Sequence, residues 1–189
     1  MAPPTLTAGL SLGPEWRVEA FTPGARLVLK KDTTGDRTRA RSSAVVAVGS
    51  LAAAAALASA TPPGMGLVTW PVAFFLFVVA LLAVPAALRS FRRARLGVTL
   101  EASPDGVVGW PVPTGLLHDL RAMPRRCAAA EVREVKVHTA DHPPLTLSIL
   151  EIHLANGTRL AGPEVATPEG ASPPLDAVAE ALRTLLKPR

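Results

Sequence analysis

Two uncharged apolar runs, 43–60 and 67–88, interrupt a chain whose other apolar residues come in short groups. The second run has 22 residues, and at ~1.5 Å per helical residue it covers the ~30 Å hydrocarbon layer of a bilayer. The first is weaker, because Val45, Val46, Val48, Leu51 and Leu57 are diluted by the Ala52 to Ala56 run. Thr61-Pro62-Pro63-Gly64-Met65-Gly66 between them is turn chemistry. The pattern therefore predicts a two-helix transmembrane hairpin over 42–88, with helices at 43–60 and 67–88. Gly49, Ala53 and Ala56 put small residues three or four apart, which lets a neighbouring helix approach closely in lipid. They are the predicted packing positions against the Phe74, Phe75, Phe77 and Leu81 helix. Pro85 is predicted to kink or end that helix. Two other readings compete. Ala58-Ser59-Ala60 imitates a signal-peptide cleavage site, but the basic region before it is too long and carries strand-like pattern. A buried hairpin of soluble helices is opposed by the length of the uncharged run.

Outside the hairpin the apolar period is two. Residues 1–14 mix Pro, Gly, Thr and Ser without a period and read as a loose leader. Residues 15–41 hold two strand-like runs around Thr22-Pro23-Gly24 and then a basic flank. Leu96, Val98, Leu100 and Ala102 alternate with polar or small residues, and Ser103-Pro104-Asp105-Gly106 turns the chain into Val107 to Val112. Pro113 to Arg126 reads as an irregular surface crossing. Glu131 to His138 alternates again, although Ala128 to Glu134 also fits a helix. In Leu145 to Leu154 the apolar parity changes after Ile149, which predicts a bulge or bend there. Asn156-Gly157 is a strong hairpin turn, followed by a return strand over 158–161 that Pro163 ends. Leu175, Val178, Leu182, Leu185 and Leu186 then repeat at helical spacing opposite Asp176, Glu180, Arg183 and Lys187, giving an amphipathic helix at 173–187 with Ser172 as cap. Such a stripe is expected to close the open end of the sheet.

Charge fixes an orientation for the hairpin. Arg26, Lys30, Lys31, Arg37, Arg39 and Arg41 precede it, Arg89, Arg92, Arg93 and Arg95 follow it, and the connecting loop has no basic residue. Positive flanks stay cytoplasmic, so both termini are expected in the cytoplasm of a two-pass inner-membrane protein. These flanks carry ten basic residues against Asp32 and Asp36, which outweighs the whole chain's +5. The remainder is net acidic, and the basic pI is topology, not a nucleic-acid footprint. Lys30, Lys31, Arg37, Arg39, Arg41, Arg89, Arg92, Arg93 and Arg95 are the candidate contacts to anionic lipid. Cys127 is the single cysteine, which excludes an intramolecular disulfide and agrees with a reducing compartment.

The order of elements resembles a pleckstrin-homology-like (PH-like) domain: short antiparallel strands over 96–112, 130–137 and 145–160 with the Asn156-Gly157 turn, closed by the helix over 175–186. With the hairpin, the chain resembles bacterial membrane-anchored PH-like proteins. The resemblance implies an α+β membrane protein with a small antiparallel PH-like β domain over 89–189. The chain departs from the simpler layout of that group in having two strands before the hairpin.

Candidate chemistry is sparse. His138 and His142 have the spacing of a helical metal pair, but Asp141-His142-Pro143-Pro144 is a turn. His118 and His153 look isolated, with His153 placed on the polar face of a strand. Cys127 beside Arg125 and Arg126 is a candidate for a lowered thiol pKa, without a histidine partner motif. No phosphate loop, paired-carboxylate motif or nucleophile elbow occurs. The reading is a non-enzymatic protein without cofactor or metal, whose partners are membrane lipid and another protein, in a scaffold or assembly role. The alternatives are a small accessory subunit of a membrane enzyme or transporter, bound through Gly49 and the alanine face, and an enzyme using Cys127 or a histidine.

Overall fold

A computed structural model describes residues 6–60, 66–142, 144–168 and 175–187, with residues 141 and 142 described by backbone alone. The chain divides into a strand unit, residues 1–32, 97–112 and 123–189, and a helical unit, residues 33–96 and 113–122.

The strand unit is a curled antiparallel half-barrel. Its strands are β1 (Trp16–Thr22), β2 (Arg26–Lys31), β3 (Val98–Ser103), β4 (Gly106–Pro111), β5 (Arg125–Ala128), β6 (Val132–His142), β7 (Leu145–Leu154) and β8 (Arg159–Pro168). They run in the order β1-β2-β3-β4-β8-β7-β6, with β5 paired to the first part of β4. The two strands that precede the helices belong to this sheet, because β2 pairs with β3 from Leu27 opposite Ala102 to Lys31 opposite Val98.

One face of the sheet is the core. Val18, Leu27, Leu29, Leu100, Val107, Leu150, Ile152 and Leu160 are all fully buried there. Trp110, also fully buried, stands opposite Ala161 on the other face, where its Nε1 donates to Gly97 O at 3.1 Å. The final helix, α4 (Leu175–Leu185), buries Leu175, Val178, Ala179, Leu182 and Leu185 and packs on β2, β3, β6 and β7. Arg183 Nη2 donates to Val135 O at 3.0 Å, tying the helix to strand β6. Residues 172 and 173, the predicted cap and first position, lie outside the described residues.

Three sequence-based expectations change here. The part of the leader that is described is ordered: Gly9 N and Val18 N hydrogen-bond with Val18 O and Leu10 O respectively, and Leu12 is fully buried. The crossing over 113–126 contains a short helix, α3 (Leu116–Leu120), and the first two residues of strand β5, while Ala129–Glu131 is a single 3-10 turn before β6. Strand β8 runs through Pro163 because the register shifts between Ile149 and Glu151, so Gly162 and Pro163 together oppose Leu150. In that bulge the missing proline N–H breaks no ladder bond. The bulge expected where the apolar parity of β7 changes is present as this register shift, with the extra residue on β8. Ser148, Leu150, Ile152 and Leu154 stay buried on one face throughout, and the apolar Leu145, Leu147 and Ile149 occupy the first half of the opposite face.

In the helical unit, α1 (Thr34–Ser59) and α2 (Gly66–Leu96) pack against each other. Both continue into the basic flanks, and α2 continues past Pro85, which is buried. Ala40, Ala47 and Ala54 of α1 are buried, as are Ala73 and Ala80 of α2. A seven-residue repeat of alanine on both helices is a close-packing antiparallel seam. Gly49, Ala53 and Ala56 are exposed and lie off it, and a Cβ at Gly49 would meet nothing within 4 Å. In an alanine-rich helix spacing alone does not distinguish one face from the next.

Candidate functional site

On the solvent face of the half-barrel, β6, β7 and β8 gather a polar cluster that the core pattern dictates. Since Leu150, Ile152 and Leu154 face inward, Glu151 and His153 face outward. Pairing places Lys136 opposite Glu151 and His138 opposite Ile149, so His138 is the diagonal neighbour of Glu151. On the other side Ala161 opposes Glu151 and Arg159 opposes His153. Arg159, two residues before the small Ala161, reaches across to Glu151.

Three groups converge on one carboxylate oxygen. Glu151 Oε2 lies 3.2 Å from His153 Nε2, 3.7 Å from His138 Nε2 and 3.2 Å from Arg159 Nη1. The imidazole rings are 5.9 Å apart, tilted by 30°. The Glu151 side chain is only 12% exposed, whereas His138 is 53% exposed. Lys136, directly opposite, does not neutralise Glu151; its Nζ lies 3.0 Å from Glu134 Oε2. That hydrogen bond holds the Glu134 carboxyl below its ordinary pKa. Beside the cluster is a shallow depression of about 220 Å³ lined by Arg133, Glu134, Lys136, His153, Gly157 and Arg159. Arg133 sits at a register shift of β6 between Val132 and Glu134. His138, Glu151 and His153 offer ligand atoms all within 4.8 Å of one another, so they are the residues that could hold a metal ion among those described.

The sequence-predicted site residues are distributed differently. Lys30 and Lys31, on β2 of the half-barrel, pair with Glu19 at 3.1 Å and Glu15 at 3.0 Å. In the helical unit the basic flank is partly an internal ion network. Arg89, nearly buried, bonds Asp119 of α3 at 2.5 Å, and Arg92 Nη1 donates to Leu120 O at 2.7 Å. Arg93 lies in the field of Asp36, Asp119, Arg89 and Arg39. Asp36 is itself buried in the first turn of α1. Arg37, Arg39, Arg41 and Arg95 are the cations of the nine that are exposed on helices.

The remaining candidates divide as follows. Burial pushes the Cys127 thiol pKa up, Glu131 adds to the rise, and Arg125 opposes it only in part. The expected lowering is therefore reversed, because β5 pairs with β4 and buries the thiol. His118 lies on α3, away from the strand cluster in sequence and unit. His138 and His142 both lie on strand β6, so the helical pair geometry is absent; the His142 side chain lies outside the described residues. His138 and His153, which looked isolated, meet through strand register. Nothing in the local sequence marks that meeting, since it depends on which residue of β7 stands opposite which residue of β6.

Compared with protein-family models and with curated protein sequences, the chain matches none.

Proposed function

We propose that this is a non-enzymatic two-pass inner-membrane protein whose helical hairpin anchors a cytoplasmic PH-like half-barrel, and that the half-barrel binds a protein partner in a scaffold or assembly role. The observation that carries the anchoring is the outward face of α1 and α2. Phe74 is 68% exposed, Phe75 64% and Leu82 59%, and both helices are long and apolar enough to cross a membrane. Each such side chain left in water forfeits roughly 1.5–3 kcal/mol relative to an apolar environment. Lipid supplies that environment, and the alanine seam supplies the helix contact that lipid does not. The exposed Arg37, Arg39, Arg41 and Arg95 then face the anionic inner leaflet, at about 1 kcal/mol each. The PH-like reading rests on a curled antiparallel sheet closed by one C-terminal amphipathic helix.

A second reading, an accessory subunit bound through the hairpin, is favoured by the exposure of Gly49, Ala53 and Ala56 away from the α1–α2 seam. The experiment that separates the two is affinity purification of the full chain in mild detergent, with co-purifying proteins identified by mass spectrometry. Because β1 and β2 share the sheet with β3, truncation after Arg95 would leave those two strands without the rest of their sheet, so surface variants are used. Partners lost with Arg133→Glu/Lys136→Glu and kept with Gly49→Leu/Ala53→Leu support the half-barrel as the working surface. The opposite outcome makes the chain an accessory subunit.

A further inference from the structure

We propose that His138, Glu151 and His153 form a binding site for one divalent transition-metal ion of the kind that imidazole prefers, with Zn²⁺ as the representative ion. The inference is independent of the scaffold reading. Four observations support it.

The first is spacing. A tetrahedral ion held at ~2.0–2.2 Å keeps its ligand atoms ~3.3–3.6 Å apart. The separations from Glu151 Oε2 to the two imidazole nitrogens, 3.2 and 3.7 Å, bracket that range. The third pair, His138 with His153, lies within 4.8 Å, and His138, half exposed on its strand, has the rotamer freedom to close it.

The second is the backbone. All three residues stand on two adjacent strands in continuous register, so no loop has to order when an ion enters.

The third is the charge balance around Glu151. Its carboxylate is nearly buried and needs a cation, yet Lys136 opposite is held by Glu134. The cation now in contact is Arg159, whose side chain is 43% exposed and so has solvent to move into. An ion at the two imidazoles would take over the Oε2 that Arg159 now contacts, and Arg159 would turn outward into solvent.

The fourth is ligand chemistry. Two imidazoles with one carboxylate suit Zn²⁺, Fe²⁺, Ni²⁺ or Cu²⁺, whereas Mg²⁺ and Ca²⁺ prefer oxygen alone. Three protein ligands at a solvent-facing site leave at least one coordination position open to water.

The competing assignment makes Arg159 the permanent counter-ion of Glu151, with the histidines as its hydrogen-bond donors. The test is calorimetric titration of Zn²⁺ into the full chain in detergent micelles after chelator treatment, with Mg²⁺ as a second probe. Expected are one Zn²⁺ per chain, no saturable Mg²⁺ binding, and affinity at least ~10-fold weaker in each of His138→Ala, His153→Ala and Glu151→Gln. Arg159→Met is expected to tighten binding, and His118→Ala to leave it unchanged. His138→Ala removes a half-exposed side chain, so it reports on binding even where Glu151→Gln disturbs folding. Co²⁺ titration followed by visible absorbance gives a second readout, with a tetrahedral spectrum that is lost in the histidine variants. Absence of saturable Zn²⁺ binding, or binding that survives both histidine substitutions, overturns the proposal.

Discussion

Lys31 and Val98 stand opposite each other in neighbouring antiparallel strands, although the whole α1–α2 hairpin lies between them in the chain. The hairpin is thus an insertion at a β2–β3 turn, and the half-barrel is assembled from both sides of it. Opposed residues of such a pair are ~4.5–5.5 Å apart, a gap that a loop of two to five residues closes. Replacing residues 33–96 with a short Gly-Ser loop is expected to give a water-soluble chain with a strand-rich far-UV spectrum and one cooperative thermal transition. A variant that is insoluble or lacks the strand signal would show that the sheet needs the hairpin to form.

Gly162 lies directly against Leu150. A Cβ there would stand 2.5 Å from Leu150 Cδ2 and 2.8 Å from Leu150 O, and the backbone oxygen cannot move aside as a side chain can. Gly162→Ala is therefore expected to destabilise the half-barrel by about 1–3 kcal/mol. Gly109→Ala meets Leu100 Cδ1 at 2.8 Å, the far end of a flexible side chain, and should cost less. Denaturant midpoints of the two variants, compared at equal slope, check the order.

The elements that were legible in the sequence are those whose signal is local. An uncharged run marks α1 and α2, the Asn156-Gly157 turn marks the β7–β8 hairpin, where Gly157 has φ +79°, and a leucine stripe marks α4. The elements that were missed depend on distant partners. Pro163 reads as a stop until the bulge opposite Leu150 is known, and Leu12 reads as leader until β1 is there to bury it. The His138–Glu151–His153 cluster is the clearest case. Glu151 is a single acid in an apolar strand, and only the β6–β7 register brings it diagonally under His138. The same holds for the alanine seam, where Ala47 and Gly49 differ by rotation about one axis and not by composition.

Arg89 and Asp119 form an ion pair with side-chain exposures of 8% and 23%. Removing one partner leaves the other charge poorly solvated, so Arg89→Ala or Asp119→Ala should each cost roughly 1–3 kcal/mol, at the low end because Asp119 keeps some water contact. Replacing both by leucine should recover much of the loss. A double-mutant cycle read by thermal denaturation in detergent measures the coupling, and two fully additive losses would show that the pair does not act as a unit.

Burial raises the Cys127 thiol pKa, so the folded chain holds the proton to higher pH than the unfolded chain does. The associated stability is complete below the unfolded thiol pKa and is lost as pH rises from there through the folded value. Two outcomes follow. Alkylation of Cys127 by iodoacetamide should be slower at pH 8.5 in the folded chain than in denaturant, and Cys127→Ser should flatten the alkaline fall in stability. A folded-state alkylation rate equal to that of a free thiol at the same pH would refute the assignment.

The two small-residue faces of α1 make opposite predictions. Ala47 and Ala54 lie in the buried seam with α2, and a leucine at either position pushes the helices apart, at about 1–3 kcal/mol for an overpacked contact. Gly49 and Ala53 are exposed, so leucine there adds apolar surface where lipid or a partner helix can accept it. Ala47→Leu and Ala54→Leu are expected to lower the unfolding temperature of the detergent-solubilised chain, while Gly49→Leu and Ala53→Leu leave it within error or raise it through better helix propensity at position 49. If Gly49→Leu were the more damaging change, the seam would run along the face marked by Gly49, Ala53 and Ala56, and the accessory-subunit reading would lose the exposed surface on which it depends.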